Sequence, residues 1–233
     1  MRNKFWNWIK NEESGERVLR LEGTIAEESW FEDDVTPKQF RDELNSGEGD
    51  ISVWINSYGG DVFAAAQIFT MLKDYPYKVK TQIEGIAASA ASVIAMAGDE
   101  VLISPVGAIM IHNPTMTIFG DSDEMKTAIR VLDEIKETII NAYELKTKLP
   151  REKISKLMDA ETWFNAKKAL ELGFVDKILF TDDNVENAAD AVIFSRMTVT
   201  NCLLNKIRSK IKDTVHVKRA VKEYYNRLNL ITH

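Results

Sequence analysis

The order of apolar and polar positions along the chain predicts strands and helices in alternation. Residues 17–25 alternate apolar and polar side chains, the pattern of a strand with one buried face. Thr36 and Pro37 are typical of a helix start, with Thr36 as the N-cap of a helix that runs to Leu44. The pattern then predicts strands at 51–55, 78–83, 100–103 and 108–111 and helices at 61–74 and 87–96. This alternation predicts an α/β domain with parallel strands covered by helices.

A long amphipathic helix is predicted from Asp121 to Leu149. Its apolar residues recur at helical spacing, and they are Met125, Ala128, Ile129, Leu132, Ile135, Ile139, Ala142 and Tyr143. Asp121, Ser122 and Asp123 favour the start of a helix, and Pro150 stops it. A helix of this size would measure about 38 Å, at 1.5 Å per residue, which is longer than one domain needs. We expect part of it to protrude and pack on another subunit, with a core helix inside one chain as the alternative.

Composition narrows the class of protein. The chain has 233 residues, of which 45% are hydrophobic and 28% charged, as in soluble globular proteins. The longest weakly polar stretch, residues 86–98, is too short to span a bilayer. The single cysteine, Cys202, needs no oxidising compartment and cannot build a cysteine-rich metal site. We therefore expect a cytoplasmic protein with no membrane partner.

The charge is unevenly distributed. The whole chain carries −6, yet residues 201–233 hold eight Lys and Arg side chains against two acidic ones. Such a tail predicts contact with an acidic partner or with the acidic body of the same protein, and a solvated basic helix is the alternative. Nucleic-acid binding is not expected, because the body is acidic and no aromatic stacking platform accompanies the basic residues. A polar, acidic stretch at 181–190 predicts a linker, so we divide the chain into an N-terminal segment at 1–16, a domain at 17–180 and a linker with basic tail at 181–233.

Two glycines follow the strand at 51–55. The run from Asn56 to Gly60, Asn-Ser-Tyr-Gly-Gly, lies between a strand and a helix, where α/β folds usually place ligands. Paired glycines allow a tight turn and leave backbone N–H groups open to an anion. The Walker lysine and the dinucleotide glycine spacing are missing. An oxyanion hole therefore fits better than a phosphate loop, with a simple tight turn as the alternative.

A serine among small residues and a mid-chain histidine supply two further groups. Ser89 lies where a strand passes into a helix, so its hydroxyl would be near the positive end of the helix dipole, with N-capping as the alternative role. Ser92, one turn later, is expected to pack or to hydrogen-bond back to the helix backbone. His112 ends an apolar strand just before Pro114, where a structural role is the alternative. It is the only histidine outside the basic tail, and serine needs a base to become a nucleophile.

Four segments together resemble the ClpP family of serine peptidases. They are Ile55–Gly60 (INSYGG), Gly85–Ser89 (GIAAS), Met110–Pro114 (MIHNP) and Trp163–Asp176 (WFNAKKALELGFVD). Their order and separations are similar to those of the family, and the resemblance covers residues 18–180. It is stronger to the ClpP-related proteases of tailed bacteriophages and prophages, which process head proteins during capsid maturation, than to the housekeeping subunit that partners an unfoldase ATPase.

The resemblance implies catalytic roles for single residues. Ser89 falls on the nucleophile of the family and His112 on its general base. Gly60 and Ala90 fall on the positions whose backbone N–H groups form the oxyanion hole.

The acid of the triad departs from the family pattern. Glu161 falls where the family usually has Asp, and Asp159 is close enough in sequence to be the alternative. A glutamate can orient a histidine as an aspartate does, but its extra methylene requires the backbone to lie slightly farther away.

The resemblance also implies how a peptide substrate binds. In the family the peptide lies as an added strand between the glycine segment and the histidine segment. The residues expected to contact it are Gly59, Asp61, Val62, Thr115 and Met116. Tyr58 replaces the proline usual in the glycine segment, and residues 115–120 lack the paired glycines of the housekeeping enzymes. We therefore expect different side-chain preferences.

The implied fold is the crotonase-like, ClpP-type spiral of βαβ units, with residues 121–149 as the handle that interlocks stacked heptameric rings of a homo-oligomer. The implied reaction is peptide-bond hydrolysis, with no metal and no organic cofactor. The expected setting is phage or prophage head maturation in the bacterial host cytoplasm and prohead, on polypeptide substrates such as capsid or scaffold proteins. An AAA+ ATPase partner is less expected, because the N-terminal end shows no match to ATPase-docking loops. The alternatives are the proteolytic subunit of an ATP-dependent Clp-type protease, an inactive ring-forming scaffold, and an acyl-CoA hydratase or isomerase of the same fold.

Overall fold

The computed structural model of the chain describes residues 4–10, 17–25 and 37–181. These residues lie in the first of two compact units, Met1–Val192 and Ile193–His233. The N-cap expected at Thr36, the basic tail and most of the predicted linker lie outside the described residues.

The described residues form strands and helices that follow one another along the chain. The strands are β1 (Trp6–Lys10), β2 (Arg17–Ile25), β3 (Ile51–Gly60), β4 (Val79–Ala88), β5 (Glu100–Ile103), β6 (Ala108–Ile111), β7 (Thr162–Asn165) and β8 (Lys177–Ile178). The helices are α1 (Pro37–Leu44), α2 (Val62–Lys73), α3 (Ala90–Ala95), α4 (Ser122–Thr147), α5 (Arg151–Asp159) and α6 (Ala166–Glu171).

All these strands belong to one mixed sheet. Its main path runs β1-β2-β3-β4-β5-β8, while β6 pairs with β4 and β7 pairs with β6. The pairs β1–β2 and β6–β7 are antiparallel. The others are parallel. The predicted α/β class with parallel central strands is confirmed, and the segment before residue 17 adds strand β1 to the sheet.

Strand β4 pairs with two short strands in succession, and this branch positions the site. Residues 80–83 pair with β5, and residues 86–88 pair with β6. The backbone N–H of Ser89 then donates to the carbonyl oxygen of Met110 at 2.9 Å. The end of β4 and the end of β6 therefore lie side by side.

The small-residue helix after β4 is shorter than its sequence predicts. A helix over 87–96 is wrong at its start, because Ala87 and Ala88 belong to β4 and pair with β6. Helix α3 begins only at Ala90, and all of its residues from Ala90 to Ala95 are buried. Alanine favours a helix, so the local sequence predicts one here, and the pairing of Ala87 and Ala88 with β6 overrides that preference.

The long amphipathic helix is confirmed as α4. Asp121 caps it, accepting hydrogen bonds from Asp123 and Glu124, and the Glu124 side chain completes a capping box. Its C-terminal half is anchored in the core, where the Tyr143 ring lies 5.6 Å from that of Phe174. Its N-terminal half leaves apolar side chains in solvent, with Ile129 60% exposed.

Candidate active site

Ser89 connects β4 to α3 in a strained backbone conformation. Its φ of 54° and ψ of −127° lie in a region that non-glycine residues rarely adopt. It occupies the N-cap position of α3, yet its side chain makes no capping hydrogen bond. The hydroxyl oxygen instead lies 2.7 Å from Nε2 of His112. The alternative of a side-chain N-cap is therefore wrong, and the hydroxyl is directed at an imidazole.

His112 directly follows β6, in a half-buried position. The pairing of β6 with the end of β4 brings it to Ser89 across 23 positions of sequence. Burial lowers the pKa of His112 below its ordinary value, although the negative charge of Glu161 acts to raise it. The imidazole is therefore neutral near pH 7, the state in which it can accept a proton from the serine.

Glu161 is placed near His112 by an antiparallel pairing. Strands β6 and β7 are antiparallel, and their paired residues run from Ala108 with Asn165 to Ile111 with Thr162. Glu161 and His112 are the residues next to the last of these pairs, Thr162 with Ile111, and the negative charge of Glu161 acts on the imidazole of His112. Glu161 also has a positive φ of 48°, an uncommon conformation for a residue other than glycine.

Asp159 is engaged elsewhere. Its carboxylate oxygen accepts a hydrogen bond from Nδ2 of Asn113 at 2.9 Å and from Nζ of Lys136 at 2.6 Å. These donors lower the pKa of Asp159. Its side chain is half exposed, and Glu161 is the carboxylate whose charge acts on His112.

The two glycines of β3 fit tightly against their surroundings. A Cβ on Gly59 would lie 2.7 Å from the carbonyl oxygen of Ala88 and 2.8 Å from Cβ of Ser89. A Cβ on Gly60 would overlap the backbone of Ile25. Both have positive φ, 97° and 153° respectively. Only glycine therefore allows position 59 to lie so close to the Ser89 turn and position 60 to lie so close to β2.

A cavity of ≈ 280 Å³ lies over Ser89 and His112. Its lining includes most of the residues expected to bind substrate or an oxyanion, which are Gly60, Ala90, Asp61, Val62, Thr115 and Met116. Gly59 does not line the cavity but lies behind Ser89. The Asp61 carboxylate caps α2 by accepting from the backbone N–H of Ala64 at 2.7 Å.

Helix α4 supplies part of the cavity wall, which the sequence did not reveal. The residues that line the cavity without having been predicted to do so are Phe63, Val93, Pro114, Leu132, Ile135, Ile139 and Tyr143. The last four belong to the apolar stripe of α4. The helical spacing of these residues predicts a buried face of α4, but it does not predict that this face covers the cavity at Ser89 and His112.

Two classes of feature are absent from the described part of the chain. None of its helices is long and apolar enough to cross a membrane. Among the same residues, no group of three or more His, Cys, Asp or Glu side chains is arranged to hold a metal ion.

Comparisons with known proteins agree on one family. The model of the Clp protease family matches residues 3–182. The ATP-dependent Clp protease proteolytic subunit 2 of Thermobifida fusca is 34% identical over 140 residues, which are 59% of this chain and 69% of that protein. The proteolytic subunit 1 of Chlamydia caviae is 31% identical over 172 residues, 69% of this chain and 90% of that protein. The corresponding subunit of Chlamydia trachomatis serovar D is 30% identical over 186 residues, 72% of this chain and 96% of that protein.

The family match spans the whole of the described sheet and both strands that carry Ser89 and His112 to their contact. The chain therefore belongs to the Clp protease family, and it is a serine peptidase of the ClpP type.

Proposed function

We propose that the chain is an endopeptidase in which Ser89 is the nucleophile, His112 the general base and Glu161 the acid of the triad. The observation that carries the proposal is the 2.7 Å contact between Oγ of Ser89 and Nε2 of His112 at the floor of a cavity. With Nε2 occupied by the serine, Nδ1 is the ring nitrogen left for a carboxylate. The negative charge of Glu161, which acts on His112, supports it in this role over Asp159, whose carboxylate binds Lys136.

The proposed reaction proceeds through an acyl-enzyme. His112 takes the proton of Ser89 as Oγ attacks the carbonyl carbon of the scissile peptide bond. The tetrahedral intermediate collapses when His112 gives that proton to the leaving amine, and the C–N bond breaks. A water molecule, deprotonated by His112, then attacks the ester carbonyl. The bond from the acyl carbon to Oγ breaks, His112 returns the proton to Oγ of Ser89, and the new carboxyl end of the peptide leaves. Glu161 holds the imidazole in the correct tautomer and stabilises its protonated form.

The backbone N–H groups of Gly60 and Ala90 are the proposed oxyanion hole. Both residues line the cavity beside Ser89. Ala90 is the first residue of α3, so its N–H has no acceptor within that helix. Such preorganised donors stabilise the tetrahedral oxyanion more than the ground-state carbonyl.

The cavity wall supports a preference for apolar side chains next to the scissile bond. Val62, Val93, Leu132 and Ile139 line it together with the Ser89 hydroxyl. Burial of an apolar substrate side chain there contributes about 1.5 to 3 kcal/mol.

Hydrolysis of a fluorogenic peptide with an apolar residue before the scissile bond tests the proposal. Ser89→Ala and His112→Ala should each reduce kcat by about 10⁴-fold or more while both proteins stay folded. Acyl-CoA thioesters, the substrates of the enzymes considered as an alternative, should not turn over. Peptide hydrolysis that persists in Ser89→Ala would refute the assignment, and thioester turnover by the wild type would favour the alternative.

A homo-oligomer is the proposed assembly, and α4 is the proposed contact between copies. The exposed apolar side chains of Met125 and Ile129, which lie one turn apart on the same face of the N-terminal half of the helix, support it. A monomeric protein would leave this stripe in water, and exposed apolar patches commonly mark interfaces.

Phage or prophage head maturation is the setting that we propose from the sequence resemblance. The relatives reported above carry the name of ATP-dependent Clp proteolytic subunits, which supports such a subunit as a second candidate. Co-expression with neighbouring capsid and scaffold genes, followed by identification of new protein termini, separates the two. New termini in a head protein that require Ser89 support head maturation. Degradation of a folded substrate only with a Clp ATPase and ATP supports the second candidate.

A further inference from the structure

A buried chain of hydroxyl groups connects helix α4 to the backbone of Ser89. The phenol oxygen of Tyr143 lies 2.8 Å from Oγ of Ser92, and that Oγ lies 2.6 Å from the carbonyl oxygen of Ser89. Tyr143 is 1% exposed and Ser92 is fully buried. No role assigned to the triad or the oxyanion hole uses either side chain.

The direction of these hydrogen bonds follows from the atoms involved. The carbonyl oxygen of Ser89 can only accept, so the single hydroxyl hydrogen of Ser92 points at it. The Ser92 oxygen must then accept from Tyr143, whose O–H is the donor. Burial raises the pKa of Tyr143 well above its ordinary value, so the phenol remains protonated throughout the neutral range.

The Ser89 peptide is the part of the site that needs support. Its backbone conformation persists only where surrounding contacts fix it. On one side, the N–H of Ser89 donates to the Met110 carbonyl at 2.9 Å. On the other, the Ser89 carbonyl accepts from both the N–H of Ser92, at 2.9 Å, and its hydroxyl. Loss of the hydroxyl bond would leave the Ser89 carbonyl with the N–H of Ser92 alone and would weaken the hold on the peptide that directs Oγ of Ser89 at His112.

We propose that Tyr143 and Ser92 are positioning residues that hold Ser89 in the conformation required for attack. The inference rests on the proposed function of Ser89 as the nucleophile. Tyr143 belongs to α4 and also lines the cavity. The position of α4 therefore affects the direction in which the Ser89 hydroxyl points.

Tyr143→Phe tests the proposal by removing one hydroxyl and leaving the buried ring. We expect kcat for a fluorogenic peptide to fall about 10-fold, the effect of one buried hydrogen bond, while KM changes less than about twofold. Ser92→Ala should lower kcat at least as much. The double variant should be no slower than Ser92→Ala, because Tyr143 acts only through Ser92.

Tyr75→Phe is the matched control. Tyr75 is a buried tyrosine whose hydroxyl donates to the Gly49 carbonyl at 2.8 Å, and it does not line the cavity. This variant should lose thermal stability but keep the wild-type kcat.

Three results would overturn the inference. They are a wild-type kcat in Tyr143→Phe, a change confined to KM, and independent, multiplying losses in the double variant. If Tyr143→Phe does not fold, the test rests on the kcat of Ser92→Ala. A kcat equal to that of the wild type in Ser92→Ala then overturns the proposal. Ser89→Ala is assayed in parallel, because full activity in that variant contradicts the proposed function itself rather than the positioning role.

Discussion

Replacing Glu161 with Gln, and separately Asp159 with Asn, tests which carboxylate orients His112. Each change removes one negative charge and keeps the size of the side chain. A glutamine amide can donate a hydrogen to Nδ1, which a carboxylate cannot do. An imidazole that accepts at Nδ1 carries its hydrogen on Nε2, so it can no longer take the proton of Ser89 at its 2.7 Å contact.

The magnitudes expected for the two variants differ widely. A triad whose acid becomes an amide loses about 10⁴-fold in kcat, and we expect a loss of about 10³- to 10⁴-fold for Glu161→Gln. The Asp159 side chain is 51% exposed, and its ion pair with Lys136 is worth at most about 1 kcal/mol. Even if that whole free energy acted on the barrier, Asp159→Asn would slow the reaction by only about fivefold.

The pH dependence of the rate is a second way to compare Glu161→Gln with Asp159→Asn. The rate falls as the pH falls through the pKa of His112, because the protonated ring is no longer a base. The charge of Glu161 raises that pKa against the larger effect of burial. In Glu161→Gln the acid limb of kcat/KM should therefore move to lower pH while the plateau drops, and in Asp159→Asn it should stay in place.

The assay is hydrolysis of a fluorogenic peptide from pH 5 to 9, with a thermal melt to show that each variant is folded. A larger loss of kcat in Asp159→Asn than in Glu161→Gln would refute the reasoning and transfer the role of acid to Asp159.

Three further predictions concern the base, the glycine turn and the assembly. For the wild type, the acid limb of kcat/KM should have its midpoint below the 6.5 of an ordinary histidine, since burial lowers the pKa of His112, and a midpoint above 6.5 would contradict this. Gly59→Ala should abolish hydrolysis, because the added Cβ would press on the Ser89 turn at 2.7 to 2.9 Å. Gly49→Ala, with a similar φ of 93° and nothing within 4 Å, should cost about 1 to 3 kcal/mol of stability but keep activity, and equal activities in the two variants would contradict the account. Ile129→Glu should lower the assembly mass in sedimentation velocity, and an unchanged mass would exclude this face as the contact.

Local sequence patterns correctly predict the elements whose bounds do not depend on contacts with distant residues. Strands β5 and β6 lie at the bounds that their apolar runs predict, and α4 follows from its periodicity and its acidic start. The Ala-rich stretch after Gly85 predicts a helix that begins too early, because the pairing of Ala87 and Ala88 with β6 is a long-range contact with no local signal.

For the candidate site too, the sequence indicates which residues take part, and only the fold shows which of them are in contact. The residue types and their order along the chain indicated Ser89 and His112 as partners, but only the branch of the sheet at β4 brings them together. Sequence spacing could not decide between Glu161 and Asp159, because the decision depends on which carboxylate acts on His112 and which one binds Lys136 in the folded chain. The contact between Tyr143 and Ser92 joins residues 51 positions apart, and neither position carries a motif.

The most direct measurement is to locate the adduct of a fluorophosphonate probe by peptide mass mapping of the intact assembly. We expect one adduct per chain, on Ser89, which is absent from Ser89→Ala and still forms in Ser92→Ala. An adduct on Ser92, or one that survives in Ser89→Ala, would contradict the claim that the hydroxyl held against His112 is the attacking group.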